Sequence, residues 1–178
     1  MDTDPEQRLI ARAKQGDIEA FEGILGPSIV AAHRYAFAFL HDLGLAEDAV
    51  QEAAVRAWRK LGRLHPGSPF RPWFLGIVAR QCRDEMRRRW WRVIRVPQAE
   101  GPRLELPEDA VLRRAMLRDA MGELTDRERQ VLILRIVLDL PWSDVASVAG
   151  VTEAGARTRY YRALERMRFT RGSQEVLT

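Results

Sequence analysis

The sequence predicts an all-α protein of two small helical domains joined by a flexible linker, the C-terminal one carrying a helix-turn-helix. Three observations predict it. Apolar residues recur at spacings of three and four along most of the chain, and sustained alternation of period two is absent. Pro97, Gly101, Pro102 and Pro107 fall within a stretch of a dozen otherwise polar residues, a composition suited to a linker. Near the C-terminus, Ala146 and Gly150 sit four apart between two apolar-striped segments. A tight crossing of two helices needs a small residue and then a residue at ease with positive φ at that spacing.

The elements follow in order. Pro5 to Gln15 is a short amphipathic stretch stopped by Gly16. Asp17 has the character of an N-cap for Ile18 to Leu25. Gly26-Pro27 then predicts a break, with Pro27 opening a helix from Ser28 to Leu43 that Gly44 ends. Ala46 to Leu61 forms a helix whose apolar stripe is Val50, Ala53, Ala54, Ala57, Trp58 and Leu61. Gly62 to Pro69 is a loop, and Pro72 fits the first turn of a long helix to about Arg92 with Trp73, Phe74, Ile77, Val78 and Cys82 inward. Helices resume at about 108–122, 125–138 and 142–149, and a last one spans 152–168. The division is therefore 5–95, a linker over 96–106, and 107–170, with a polar tail from Arg171.

Composition excludes several classes. Of the 178 residues, 46% are hydrophobic and 30% charged, which fits neither a disordered nor a membrane-embedded chain. No apolar run approaches the roughly 18 residues of a membrane span. The polar, acidic stretch from Met1 to Glu6 is unlike a signal peptide, so the expectation is a cytoplasmic protein without membrane insertion. Cys82, the one cysteine, can form no internal disulfide, and His33, His41 and His65 show no ligand spacing with it. No nucleophile–base motif or Gly-rich phosphate loop stands out, and no cofactor is expected. The net charge of +4 and pI near 9.8 favour a polyanionic partner. Lysine occurs only at Lys14 and Lys60, so the basic surface is made of arginine, the better bidentate donor to guanine and phosphate.

Two stretches point to nucleic acid. In the helix after Gly150, Ala156, Tyr160, Ala163, Leu164 and Met167 share one face, and Glu153, Arg157, Thr158, Tyr161 and Arg162 the other, with Thr152 as cap. Arginines near the start of such a helix suit major-groove readout. In the helix from Pro72, Arg80, Arg83 and Arg87 form a basic ridge beside a loop flanked by aromatics, extended by Arg88, Arg89, Arg92 and Arg95. Trp73 and Phe74 read as core. Basic groups interleaved with aromatics suit single strands, whose bases stack while arginines hold phosphates. Thr125-Asp-Arg-Glu128 is a capping box that fixes a helix start.

The ordered set of motifs resembles the extracytoplasmic-function (ECF) sigma factors of the sigma-70 family. The resemblance rests on Leu9 to Phe21, on Ala46-Glu-Asp-Ala-Val-Gln-Glu52 with Arg56-Ala-Trp58, on Phe70 to Ile77, and on Leu124 to Leu132 with the helix-turn-helix. It implies a factor that binds RNA polymerase core, melts and reads a promoter −10 element and reads a −35 element. Glu47, Asp48, Gln51 and Glu52 would dock on the β′ clamp coiled coil, and the second domain would contact the β flap. His65, Pro66, Gly67, Ser68, Phe70, Arg80, Arg83, Asp84 and Arg87 would meet the unpaired −10 strand. Thr152, Glu153, Arg157, Thr158, Tyr161 and Arg162 would meet the −35 duplex. An anti-sigma factor is the expected regulator. Arg80 departs from the Asn common in the family and can donate but not accept hydrogen bonds, so no base preference carries over there. Gly155-Ala156 likewise departs from the usual Gly-Thr-Val.

Two other readings account for parts of the chain. A sigma mimic would bind a regulator instead of promoter DNA. A dimeric helix-turn-helix repressor would read a palindrome and leave the acidic helix unexplained.

Overall fold

The computed structural model describes residues 4–95 and 121–175, with side chains over 4–88 and 121–168. The expected linker at 96–106, most of the helix at 108–122, and the side chains of Arg89, Arg92 and Arg95 lie outside the described residues. Among the described residues all regular structure is helical.

Helix α1 (Pro5–Lys14) is capped by Asp4, whose carboxylate accepts from the Glu6 N–H at 3.1 Å. Asp17 caps α2 (Ile18–Leu40) through the Ala20 N–H at 3.0 Å. Contrary to expectation, α2 runs unbroken through Gly26-Pro27. Pro27 lacks the N–H that would bond the Gly23 carbonyl, but it lies on the solvent side, where water can serve that carbonyl. The opposite side of α2 buries Phe21 and Ile24 before the proline and Ala31, Ala32 and Tyr35 after it. Packing on both flanks therefore holds the helix together across the missing bond.

Helix α2 also ends earlier than Gly44 suggested. His41 takes the left-handed conformation at φ 56°. Asp42 then caps α3 (Leu43–Lys60) by accepting from Leu45 N–H at 3.0 Å, which leaves Gly44 inside the first turn. A 3-10 turn (Leu61–Arg63) leads to the loop, and α4 spans Phe70–Arg95, longer at both ends than Pro72 to Arg92. Helices α1 to α4 close one core around Tyr35, Phe39, Val50, Phe70, Phe74 and Val78.

The capping box forms as expected. The Glu128 N–H donates to Thr125 Oγ1 at 3.3 Å, and the Thr125 N–H donates to Glu128 Oε2 at 3.0 Å. It starts α5 (Asp126–Leu132), which passes into a π-helical turn (Ile133–Val137) where one helix to 138 was expected. Helix α6 (Trp142–Ala149) and α7 (Glu153–Glu175) form the helix-turn-helix. Helix α7 continues past 168, so the stretch from Arg171 to Glu175 is helical.

The two helical groups pack on each other. Helix α6 lies on α4, where a Cβ at Gly76 would stand 3.8 Å from the Val148 carbonyl. At the same seam Arg83 donates to the Gln130 amide oxygen at 2.6 Å, and the Gln130 NH2 donates to Val148 O at 3.2 Å. Arg129 sits 5.3 Å from the Phe39 ring centre, and Arg34 donates to the Val137 carbonyl. Gln130 and Arg129 are buried polar residues with their donors engaged, as burial requires.

Candidate nucleic-acid interface

The turn between α6 and α7 shows the geometry that the spacing predicted. Gly150 adopts φ 64°, and the Val151 N–H returns to Ala146 O at 3.0 Å. Val145, Ala146, Ala156 and Ala163 are buried between the helices, and the Thr152 hydroxyl caps α7 through the Gly155 N–H at 3.1 Å. Thr152, Glu153, Arg157, Thr158, Tyr161 and Arg162 are all exposed. The exposed Arg157 guanidinium lies 4.7 Å from the Trp142 ring centre, a cation–π contact that limits its swing.

Two hollows flank α3 and α4. The first, of about 970 Å³, is lined by Asp48, Gln51, Glu52 and Val55 of α3 and by Gln81, Glu85 and Arg88 of α4. It brings together three of the four expected docking residues; Glu47 is exposed outside it. The Gln81 side-chain oxygen is buried beneath this hollow without a hydrogen-bond partner among the described residues.

The second hollow, of about 450 Å³, is basic. Arg56, Lys60, Arg63, His65 and Arg80 line it with Ser68, Trp73 and Ile77. Arg56 belongs to both hollows and pairs with Glu52 at 3.0 Å and Asp84 at 3.9 Å. Of the residues expected to meet a single strand, His65, Ser68 and Arg80 line this hollow, while Pro66 and Gly67 form the exposed loop tip. Arg87 pairs with Asp84. Arg83 is turned to Gln130 at the seam.

Phe70 lies elsewhere. Its ring is fully buried, 6.1 Å from Phe21 and 5.7 Å from both Trp73 and Phe74, so as described it closes the core and offers no face to a base. Trp73, read as core, is only half-buried and reaches the hollow. Lys60 and Arg63 were missed in the sequence. Their signal was the basic end of α3 running into the loop.

Helix α1 was given no site residue in the sequence, yet its side chains bond the loop backbone at four points. Gln7 accepts from Gly67 N–H at 3.1 Å and donates to Ser68 O at 3.1 Å. Glu6 accepts from Phe70 N–H at 3.1 Å, and Lys14 donates to Leu64 O at 2.6 Å.

An exposed arginine-bearing second helix in a helix-turn-helix, packed with a four-helix module that carries a basic hollow, defines a two-module helical protein of DNA-binding type. Comparison with known proteins gives the family. Residues 30–92 match Sigma-70 region 2 and residues 114–167 match Sigma-70, region 4. The chain is 27% identical over 169 residues to RNA polymerase sigma factor CarQ of Myxococcus xanthus, an alignment covering 93% of this chain and 97% of that relative. It is 28% identical over 174 residues to the RNA polymerase sigma-H factor of Pseudomonas aeruginosa, covering 90% of each. The solved structure of CnrH in complex with the cytosolic domain of CnrY aligns with a TM-score of 0.72 at 24% identity, covering 96% of this chain and 99% of that one, a likeness of fold. The chain belongs to the ECF group of the sigma-70 family, the factors that direct RNA polymerase to promoters.

Proposed function

We propose a division of labour between the two modules. The first, 5–95, docks on the β′ clamp coiled coil through Asp48, Gln51 and Glu52 and receives the unpaired −10 strand in the basic hollow. The second, 107–170, reads the −35 duplex through Arg157, Thr158, Tyr161 and Arg162 and contacts the β flap, with 96–106 as linker. The observation that carries this is the pair of hollows meeting at Arg56. A groove bearing the carboxylates of Asp48, Glu52 and Glu85 suits a partner rich in donors, and a basic pocket suits a polyanionic strand. No bond is made or broken in this scheme, since binding free energy drives strand opening.

A structural neighbour, the sigma factor RpoE of Bartonella quintana, was solved with the anti-sigma factor NepR. An anti-sigma partner for this chain, acting in the cytoplasm, belongs to the same proposal. No described helix is long and apolar enough to cross a membrane.

The test is transcription from fragmented host DNA by RNA polymerase core with and without the protein. Discrete start sites sharing two spaced upstream elements support the assignment. Core binding without initiation favours a sigma mimic, and neither favours a plain repressor.

A further inference from the structure

We propose that Gln7, with Glu6 and Lys14, acts as a positioning residue for promoter reading: α1 sets the shape of the loop that receives the unpaired −10 base, without touching DNA. The inference rests on the −10 assignment of the basic hollow.

The loop from Leu64 to Pro69 has little of its own to fix it. Its one internal backbone bond among the described residues is Ser68 N–H to His65 O at 3.1 Å, and Gly67 stands at φ 77°. Helix α1 supplies partners for three more of its backbone groups, Leu64 O, Gly67 N–H and Ser68 O. Glu6, Gln7, Ile10 and Lys14 fall on one face of α1 by their spacing of three and four. Ile10 anchors that face in the core at 4% exposure, and the three polar side chains reach Leu64, Gly67, Ser68 and Phe70.

Each bond has a specific reason. Pro69, directly before α4, has no side-chain acceptor, so the first turn of α4 has no local cap; the Glu6 carboxylate supplies one to Phe70 N–H from another helix. Gln7 uses both ends of one amide on consecutive residues, its oxygen on Gly67 N–H and its nitrogen on Ser68 O. Rotating or removing that amide frees Gly67 to leave its left-handed conformation. Ser68 and His65, which line the hollow, then lose their fixed places. A loosened loop accepts the wrong base nearly as well as the right one, because selectivity depends on polar groups held where the wrong base leaves them unpaired.

The experiment measures initiation by the holoenzyme on promoters carrying each of the four bases at each −10 position. Gln7→Ala lowers discrimination at one position by about three- to tenfold, the net scale of a single hydrogen bond. Gln7→Glu keeps the acceptor for Gly67 N–H and restores part of it. Arg8→Ala, on the exposed face of α1, leaves it unchanged. Gly67→Ala acts on the same loop, so its effect and that of Gln7→Ala fall short of additive when combined. Unchanged discrimination in Gln7→Ala while Arg80→Ala shifts base preference overturns the positioning role alone. Neither variant shifting base preference overturns the −10 assignment and the proposal with it. Equal losses at every base together with weakened core binding show a merely structural helix and also overturn it.

Discussion

The face proposed to read the −35 duplex and the hollow proposed to receive the −10 strand differ in how many parts of the chain make them. Thr152, Glu153, Arg157, Thr158, Tyr161 and Arg162 lie within eleven consecutive residues, all exposed, and their placement follows from one turn at Gly150. The hollow takes its walls from the end of α3, the loop, α4 and Ser147 of α6, and its loop is held by α1. One surface is ready as soon as a helix forms; the other exists only when five segments agree. The closed arrangement sharpens the contrast. Helix α6 stands against the basic hollow and Gln130 engages Arg83, while the outward face of α7 stays exposed.

The largest expected effect falls on the simple surface. Arg157→Ala and Arg162→Ala should each weaken binding to a −35 duplex by about 1–3 kcal/mol if they contact bases, with affinity for polymerase core unchanged. Electrophoretic shifts with the −35 duplex and a separate core-binding titration check this. Equal losses in both would show that the two surfaces are not independent.

The seam comes next. Arg34→Ala removes an exposed side chain whose hydrogen bond reaches 103 residues along the chain to Val137 O, and Gln130→Ala removes the partner of Arg83. Together they should extend the protein in solution scattering and raise its affinity for a single-stranded −10 oligonucleotide several-fold, because the competent population grows. Binding of the −35 duplex should not change. A chain as compact as the wild type would break the contrast drawn above.

A smaller effect separates the modules by stability. Thr125→Ala breaks the capping box and should cost about 1 kcal/mol in urea unfolding. Burial alone would push the Glu128 carboxyl up, but bonds from the Thr125 hydroxyl and N–H, with the charges of Arg166 and Arg162, hold it below the ordinary 4.5. Its contribution is therefore full above 4.5 and is lost as pH falls through the lowered folded value. The stability difference between wild type and Glu128→Gln should be constant near neutrality and shrink in that acid range. In the first module, Pro27→Ala restores the missing helix bond on an exposed face and should stabilise by about 1–3 kcal/mol, read as a raised midpoint in thermal unfolding.

What could be read from the sequence follows the same divide. The capping box, the Ala146–Gly150 turn and the inward face at Ala156 and Ala163 are encoded within a few residues, and the structure shows each of them. Gly26-Pro27 misled because a local breaker was weighed without the core on both flanks of α2. Gly44 misled because His41, a residue with a Cβ, took the left-handed position three places earlier. The candidate sites were legible where side chains share a helix, as for Asp48, Gln51 and Glu52. Gln7 on Ser68, Arg83 on Gln130 and Arg34 on Val137 join residues 61, 47 and 103 apart, and no local pattern marks such pairs. The resemblance placed Phe70 at the strand-binding surface, yet as the first residue of α4 it turns into the aromatic cluster.

Cys82 gives the molecule a built-in clock. It is the one thiol of the chain, wholly enclosed in α4 next to Arg83, and burial pushes its pKa up to about 12. At neutral pH almost none of it is thiolate, so a maleimide or a disulfide reagent can capture it only during the intervals when the surrounding helices part. The capture rate counts those openings directly, on the unaltered protein, and a partner that clamps the helices would slow the count.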